Sequence, residues 1–227
     1  MTHHVHPYIF RIGQLTTWKS RWFQSKKFAK YLREDTLIRE WLLKKLKACH
    51  LESVDIERFV NTMHIIIKTS RPGFLIGRSG EGAEKLKNEI ESRLLKIARR
   101  FKDGTPTREI KLTVEEVRSP ESHAAIAGQM IADELEKRVQ FRRALKQALT
   151  KISAAPGVQG VKIALSGRLD GSEMARHEWV KNGRIPLQTI RANIDYAHTT
   201  AYTTYGTIGI RIWIYKGDVY EKVESLK

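Results

Sequence analysis

The sequence contains a single cysteine, Cys49, among its 227 residues. One cysteine excludes a disulfide framework and a zinc site built from several cysteines, and it suits a reducing compartment. Long apolar runs are also missing: the best candidate, residues 207–215, is much shorter than a membrane span and contains Arg211. The first residues include no apolar segment of the kind found in secretory signals. The sequence therefore predicts a cytoplasmic protein.

Acidic residues are scarce relative to basic ones: 25 Asp and Glu stand against 41 Lys and Arg, a formal net charge of +16. Repulsion of this size opposes a compact state unless an anionic partner offsets it. The partner is therefore expected to be a polyanion, either nucleic acid or an anionic membrane surface. A membrane surface normally requires a basic amphipathic helix with exposed bulky apolar residues. Because the predicted helices need their apolar stripes for a core, nucleic acid is favoured and no membrane partner is expected.

Residues 1–34 differ from the rest of the chain because they combine seven basic residues and several aromatic ones with one acid, Glu34. The basic residues are Arg11, Lys19, Arg21, Lys26, Lys27, Lys30 and Arg33. This composition predicts an extended basic N-terminal arm that packs or stacks on a partner. The alternative is a solvated, frayed terminus.

Residues 35–118 have the pattern of a first domain. Asp35 is the expected N-cap of an amphipathic helix, and a short helical turn precedes the glycine-containing loop described below. After this first helix, apolar periodicity predicts strands at 53–58 and 63–68, then a long helix, then a strand at 109–117. The apolar stripe of the long helix is Leu86, Ile90, Leu94, Ile97 and Phe101.

Residues 119–227 have the pattern of a second domain, with a boundary expected at Ser119-Pro120. Two helices are predicted first, at 121–139 and 141–153. Strands are predicted later, at 160–167, 190–196 and 207–215. A group of helices followed by a group of strands is typical of an α+β domain. A hydrophobic fraction of 41% is sufficient for two such cores.

The tetrapeptide Gly77-Arg78-Ser79-Gly80 is the main candidate for an RNA-binding loop. Gly-x-x-Gly is a weak motif alone, and the chain has two more copies, at Gly157/Gly160 (a turn) and Gly206/Gly209 (a bulge or a close backbone approach). Only residues 77–80 lie between an apolar run and an amphipathic helix, where a phosphate can approach the main chain and the helix N-terminus. KH domains clamp single strands in this way, whereas a Walker loop would need a following Gly-Lys-Ser/Thr. The alternative is a tight helix entry without a ligand.

The helix predicted at residues 141–153 has an unusual basic face formed by Arg142, Arg143 and Lys146. These residues are three and four positions apart, so they share one side of the helix, and residues 137–151 contain no Asp or Glu. Exposed helix faces usually mix both signs of charge. The lack of counter-charges favours a surface that binds an RNA backbone over one that is merely solvated.

Catalytic and metal-binding patterns are weak. The pair His177-Glu178 lacks metal-ligand spacing to another His or Cys, and no nucleophile-elbow motif occurs. His3, His4 and His6 are interpreted as part of a flexible terminus, and Cys49 as a small core residue. We therefore predict a protein that is not an enzyme and that has no catalytic residues, no cofactor and no metal.

Several segments, in order along the whole chain, resemble the bacterial family of small-subunit ribosomal protein S3. They are residues 5–7 (Val-His-Pro), 10–13 (Phe-Arg-Ile-Gly), 71–73 (Arg-Pro-Gly), 76–80, 141–146, 166–169 (Ser-Gly-Arg-Leu), 178–179 (Glu-Trp), 183–187 (Gly-Arg-Ile-Pro-Leu), 194–196 (Ile-Asp-Tyr) and 203–206 (Thr-Thr-Tyr-Gly). The resemblance implies an α+β fold: a type II KH domain followed by a two-helix, four-stranded C-terminal domain.

The resemblance also implies a function and partners. The protein would be a structural constituent of the small ribosomal subunit head that binds small-subunit rRNA and contacts ribosomal proteins S10 and S14, without forming a homo-oligomer. It would line the mRNA entry channel, where basic residues matching Arg142, Arg143 and Lys146 help to separate paired mRNA without ATP. Residues assigned to rRNA binding are Arg11, Lys19, Arg168, Arg176, Arg184 and Arg191.

Three positions depart from the family pattern. The family commonly begins Met-Gly-Gln-Lys, whereas this chain begins Met1-Thr2-His3-His4; Ser79 replaces a second loop cation; and Asp170 stands where glycine is more common. Two other functions remain open at this point. One is a free KH protein that acts as an RNA chaperone or regulator outside the ribosome. The other is a strand-cleaving or lyase activity, for which the sequence offers no acid, base or metal set.

Overall fold

The computed structural model describes residues 5–101 and 109–220. The elements, in chain order, are α1 (Pro7–Phe10), β1 (Ser20–Arg21), α2 (Phe28–Lys45), β2 (Leu51–Arg58), β3 (Thr62–Thr69), α3 (Pro72–Ile76), α4 (Glu81–Arg100), β4 (Glu109–Glu116), α5 (Ala124–Glu136), α6 (Phe141–Ala154), β5 (Gly160–Gly167), β6 (Arg176–Gly183), β7 (Ala192–Thr203) and β8 (Gly206–Asp218). The chain divides into two compact units, Trp18–Arg118 and a discontinuous unit that joins Met1–Thr17 to Ser119–Lys227. Across the described ranges, every helix is too short or too polar to cross a membrane.

From α2 onward, the unit Trp18–Arg118 has the element order predicted from periodicity, including the short helix α3 before the glycine loop, whereas β1 was not predicted. Its sheet has the strand order β1-β2-β3-β4, in which β2 and β3 are antiparallel and the two outer pairs are parallel. Alternate residues of β2 and β3 form one apolar face, against which α2 and α4 pack. The buried cluster includes Ile38, Leu42, Val54, Ile56, Ile65, Ile67, Leu86, Ile90 and Leu94.

Helix α2 begins earlier than predicted. Its N-cap is Lys27, and Asp35 lies in the interior of the helix, where it is fully buried. The N-cap assignment of Asp35 was therefore wrong. Its carboxylate serves the tertiary structure instead: Arg58 Nε on β2 donates to Asp35 Oδ1 at 2.9 Å, and Trp22 Nε1 donates to Asp35 Oδ2 at 2.8 Å. Arg58 Nη1 also donates to Glu34 Oε2 at 2.7 Å. These groups form a buried, charge-paired network between helix and sheet.

The basic arm predicted over residues 1–34 is not a separate segment in the described residues from 5 onward. Residues up to Thr17 belong to the discontinuous unit, and those from Trp18 belong to the first unit, where β1 pairs with β2 and α2 packs on the sheet. The two compact units divide at Thr17/Trp18 and at Arg118/Ser119. The domain bounds 1–34, 35–118 and 119–227 stay predictions. Residues 1–4, including His3 and His4, lie outside the described residues.

The discontinuous unit contains a sheet with the order β6-β5-β8-β7, all antiparallel. Helices α5 and α6 cover one face of this sheet. The shared core includes Ile131, Leu135, Ala144, Leu145, Ile152, Val161, Ile163, Leu165, Ile210 and Ile212. The described residues thus confirm the expected two-helix, four-stranded arrangement. Strand β6 was implied only by the resemblance, because its sequence has no apolar alternation.

Candidate nucleic-acid interface

Helix α6 presents the basic face expected from its sequence. Its buried stripe is Phe141, Ala144, Leu145, Ala148 and Ile152, which leaves the opposite side to solvent. Arg142, Arg143 and Lys146 are all exposed on that side. Together with Gln147 and Thr150 they line a shallow, open groove.

The three cations of this face lack acidic partners: within the described part of the chain, no carboxylate lies within 4 Å of their charged groups. Lys151 on the same helix differs, since its Nζ lies 3.9 Å from Glu134 Oε1. Neighbouring like charges without counter-ions repel one another, and a phosphate backbone relieves that repulsion. The structure thus brings Arg142, Arg143 and Lys146 together as one positively charged surface without acidic partners.

Asp170 lies at the N-terminus of α6. Its Oδ1 accepts a hydrogen bond of 3.3 Å from the backbone N–H of Phe141, the first residue of the helix. A carboxylate at this position satisfies a free N–H group and interacts favourably with the helix dipole. Asp170 has a φ of +50°, a left-handed conformation that favours glycine and that aspartate tolerates better than most residues. The departure from the family pattern at this position therefore has a structural role.

The loop of residues 77–80 connects α3 to α4 through a short 3₁₀ turn, Arg78–Gly80. Gly77 and Gly80 have φ values of +69° and +84°, so both glycines are required by the backbone. Arg78 is exposed and is the only cation among the four residues. The first turn of α4 carries two acids, Glu81 and Glu84, which compete with phosphate for the positive end of the helix. Arg78 is therefore the main source of positive charge for phosphate binding at this loop.

Two residues near this loop were not identified from the sequence. Phe74 on α3 is 77% exposed, which gives the loop an unpaired aromatic neighbour suited to base stacking. At Gly82 a Cβ atom would lie 2.5 Å from the carbonyl oxygen of Leu75, so the first turn of α4 packs directly on the end of α3. The sequence signal for Gly82 was present, since glycine is unusual in the first turns of a helix.

Arg11 was assigned to rRNA binding, and the structure corrects this assignment. The residue is 1% exposed, and its guanidinium donates to the carbonyl oxygens of Pro7, Leu187, Thr189 and Ala192 at 2.6–3.0 Å. Burial lowers the pKa of this guanidinium. Arg11 is thus a structural residue that fixes the N-terminal segment on the discontinuous unit, and its donors are not available to RNA.

The other basic residues assigned to rRNA differ in their availability. Arg168 is half-buried, and its Nε and Nη1 donate to the carbonyl oxygens of Ser172 and Tyr205 at 2.9 and 3.3 Å. Arg191 Nε lies 3.3 Å from Asp218 Oδ2. Arg176, Arg184 and Lys19 have exposed side chains. The assignment therefore suits Arg176 and Arg184 best, whereas Arg168, Arg191 and Lys19 already have interactions within the chain.

Among the described residues, no group of three His, Cys, Asp or Glu could hold a metal ion. Cys49 is buried in the core of the first unit, as predicted, and burial raises the pKa of its thiol, an effect that the charge of Arg71 opposes.

Comparison with known proteins agrees with this architecture. Residues 37–122 match the family model described as KH domain, and residues 131–214 match the one described as Ribosomal protein S3, C-terminal domain. The first match confirms the KH domain, and the second lies within the discontinuous unit.

Relatives extend the likeness to almost the entire chain. A protein of Caldicellulosiruptor saccharolyticus is 46% identical over 95% of this chain and 92% of its own length. One from Acidobacterium capsulatum is 44% identical over 96% and 92%, and one from Oleidesulfovibrio alaskensis is 42% identical over 96% of both. All three are named small ribosomal subunit protein uS3, and none bears the name of an enzyme. At this identity and coverage, the chain belongs to the family of small ribosomal subunit protein uS3.

Proposed function

We propose that this protein binds small-subunit rRNA in the head of the small ribosomal subunit, and that the basic face of α6 lines the mRNA entry channel and assists unwinding of structured mRNA. The observation that carries the proposal is the cluster of Arg142, Arg143 and Lys146, exposed on one helix face without acidic partners. Family membership supports the ribosomal setting, and the surplus of 16 positive charges supports a polyanionic partner.

Unwinding on this face requires no nucleotide hydrolysis. Each Lys or Arg that neutralises a phosphate releases a condensed counter-ion, so the basic face favours any backbone that reaches it. A single strand follows the curved surface of one helix more readily than a stiff duplex does. When the base pairs at the entrance open thermally, the basic face holds the separated strand and disfavours re-pairing. Movement of the message by the ribosome then makes the opening irreversible.

The KH loop and the exposed arginines have a positioning role in this proposal. Arg78 and the main chain at Gly77 and Gly80 would hold one RNA phosphate, and Phe74 would stack on an adjacent base. Arg176 and Arg184 would contact rRNA phosphates from the discontinuous unit. Ribosomal proteins S10 and S14 are the proposed protein neighbours, and one copy of the chain would serve each subunit.

The experiment that tests the α6 role is translation by ribosomes that carry Arg142→Ala with Lys146→Ala. We expect slower elongation through a stable mRNA hairpin at the entrance and an unchanged rate on an unstructured message. The matched control is Lys96→Ala with Lys111→Ala, which removes two exposed cations from the other unit. Sucrose-gradient sedimentation verifies that both variants enter small subunits in stoichiometric amounts. Equal rates on both messages in the α6 variant would contradict the channel role.

The same gradient distinguishes the remaining alternative, a free KH protein that acts outside the ribosome. A ribosomal constituent sediments with small subunits in moderate salt at one copy per particle, whereas a regulator is found mainly in the soluble fractions. We expect the first result.

A further inference from the structure

In the discontinuous unit, helices α5 and α6 cover only one face of the sheet. Residues Val161, Ile163 and Leu165 of β5 point toward α5 and α6, so the residues between them point to the opposite face. The strand registers place these outward residues in rows across β6, β5, β8 and β7, and three rows lie beyond the one that contains the buried residues Tyr215 and Ile194. The rows are Lys181, Lys162, Trp213 and Tyr196; Trp179, Ala164, Arg211 and His198; and His177, Ser166, Gly209 and Thr200. We refer to these twelve residues as the open sheet face.

The first row is partly covered by the chain itself. The ring of His6 packs edge-on against Tyr196 with centroids 4.7 Å apart, and Trp213 packs against the buried cluster of Ala192, Ile194 and Tyr215. The middle row is accessible: Trp179 is 54% exposed, and Arg211 and His198 are exposed as well. The centre of the open sheet face is therefore a surface on which a ligand can be placed.

Small residues lie at the middle of this surface. Ala164, between Trp179 and Arg211, is buried, and Ser166 and Gly209 beside it in the next row are half-buried. A Cβ atom on Gly209 would come within 3.1 Å of Ser166 Oγ. Three small residues thus form a floor that is bounded on one side by an indole and on the other by a guanidinium. Of the two explanations offered for the Gly206/Gly209 pair, a close approach fits Gly209, because the ladder is regular at that residue.

The charge on the open sheet face has one sign. It carries Lys162, Lys181 and Arg211, and within the described residues no carboxylate lies within 4 Å of their charged groups. The strand alternation places Glu178 and Asp195 on the helix-covered side of the sheet, and Asp218 lies at the end of β8. Lys162 Nζ lies 5.1 Å from the Trp179 ring centroid and 5.3 Å from that of Trp213. This cation–π arrangement fixes the indoles while keeping a positive charge beside them.

We propose that the open sheet face binds a single-stranded RNA segment, separately from the basic face of α6. An unpaired base would stack on the exposed indole of Trp179 above the floor of small residues. Arg211, Lys162 and Lys181 would neutralise the phosphates on either side of that base. An acidic peptide would satisfy the three cations but would leave the indole without a planar partner. A duplex would also leave the indole of Trp179 without a stacking partner, because the bases of a duplex are already stacked on one another. The chemistry therefore favours an unpaired stretch of RNA.

The test measures RNA binding by the full chain in which Arg142, Arg143 and Lys146 are replaced by Gln and the exposed residues Phe74 and Arg78 by Ala, so that the contributions of the α6 face and of the KH loop are removed. The probe is a fluorescein-labelled 12-nucleotide single-stranded RNA of mixed sequence, followed by anisotropy at several salt concentrations. Adding Trp179→Ala should weaken binding by roughly 5- to 100-fold and leave the salt dependence unchanged, because stacking is not ionic. Adding Arg211→Gln should weaken binding and also reduce the slope of log affinity against log salt by about 0.7.

Two controls make the result specific. Trp179→Phe retains a flat ring and should restore most of the affinity lost in Trp179→Ala. Phe59→Ala removes an aromatic ring that is 62% exposed in the other unit and should leave the RNA affinity unchanged. Circular dichroism verifies the fold of each variant, which is expected to be intact because the altered side chains are exposed.

The outcomes separate this proposal from the α6 role. Unchanged RNA affinity in Trp179→Ala would overturn it, even where the three α6 substitutions by themselves reduce RNA binding and so support the channel role. An RNA hairpin of equal length that competes as well as the single strand would overturn the stacking model. Unchanged RNA affinity together with loss of cross-links to a neighbouring protein in reconstituted subunits would assign the open sheet face to a protein partner instead.

Discussion

Arg11 Nε donates a hydrogen bond of 2.6 Å to the carbonyl oxygen of Ala192, a residue 181 positions later in the chain. The same guanidinium donates to the carbonyl oxygens of Leu187 and Thr189, which belong to the segment that leads into β7. These bonds replace the water that the carbonyl groups would otherwise bind. Arg11 therefore connects the N-terminal segment of the discontinuous unit to the segment that leads into β7.

Replacing Arg11 by Met should destabilise the discontinuous unit. The substitution keeps the apolar stem but leaves several buried carbonyl groups without a donor, at a cost of about 3 kcal/mol or more. Lys26→Met, which removes an exposed cation from the same basic stretch, should change stability by less than about 0.5 kcal/mol. Urea unfolding monitored by circular dichroism compares the two. Equal stability of both variants would contradict the structural role of Arg11.

Replacing Arg58 by Met should destabilise the KH unit by about 3–5 kcal/mol, because it leaves Glu34 and Asp35 as buried, unpaired carboxylates. The matched control is Lys85→Met, which breaks an exposed ion pair with Glu81 at 3.2 Å and should cost less than about 0.5 kcal/mol. Hydrogen exchange resolves the two units separately. We expect loss of protection in β2, β3 and α2; a loss confined to the discontinuous unit would disagree with this account.

Replacing Gly82 by Ala should destabilise the KH unit by about 1–3 kcal/mol, since the new methyl group would overlap the carbonyl oxygens of Leu75 and Ile76. Gly73→Ala is the matched control on α3, where no atom lies within 4 Å of the added Cβ and alanine is the better helix former. Its midpoint of thermal unfolding should stay the same or rise. Similar midpoints for the two variants would show that α3 and α4 do not pack as closely as described.

Cys49 should make the stability of the KH unit fall at high pH. Burial raises the pKa of its thiol above the ordinary value of 9.0, so the unfolded chain loses this proton at a lower pH than the folded chain does. The contribution is fully present below pH 9.0 and declines as the pH rises beyond it. The variant Cys49→Ala has no thiol to titrate, so the difference in the free energy of unfolding between wild type and variant should shrink from pH 8 to pH 10. A constant difference would contradict the raised pKa.

The sequence predicted the parts of the fold that depend on local periodicity. The stripe Leu86, Ile90 and Leu94 identified α4, and the acid-free face of α6 was found complete with its three cations. Errors occurred where a side chain has a distant partner. In the sequence, Asp35 has the features of an N-cap, whereas in the structure its carboxylate pairs with Arg58, 23 residues away. In the sequence, Arg11 has the features of a residue that binds RNA, whereas in the structure its guanidinium donates to the carbonyl oxygen of Ala192. No window of sequence contains such pairs, so only the fold could reveal them.

The candidate RNA surfaces show the same distinction. The basic face of α6 lies on one helix and is visible from i,i+3 and i,i+4 spacing. The open sheet face requires the registers of four strands, since Trp179, Ala164, Arg211 and His198 come from separate segments. Strand β6, which supplies Trp179, has no apolar alternation and could not be placed by pattern. A surface assembled across strands is therefore invisible until the sheet is known.

The discontinuous unit also has a consequence for the order of events during synthesis. The KH unit is contiguous, so its core is complete as soon as Arg118 has left the exit tunnel. Arg11 emerges early but has to wait for Ala192, which at about 5–20 residues per second takes roughly 10–40 s. The N-terminal segment is therefore fixed on the discontinuous unit only after the residues that form β7 have been synthesised.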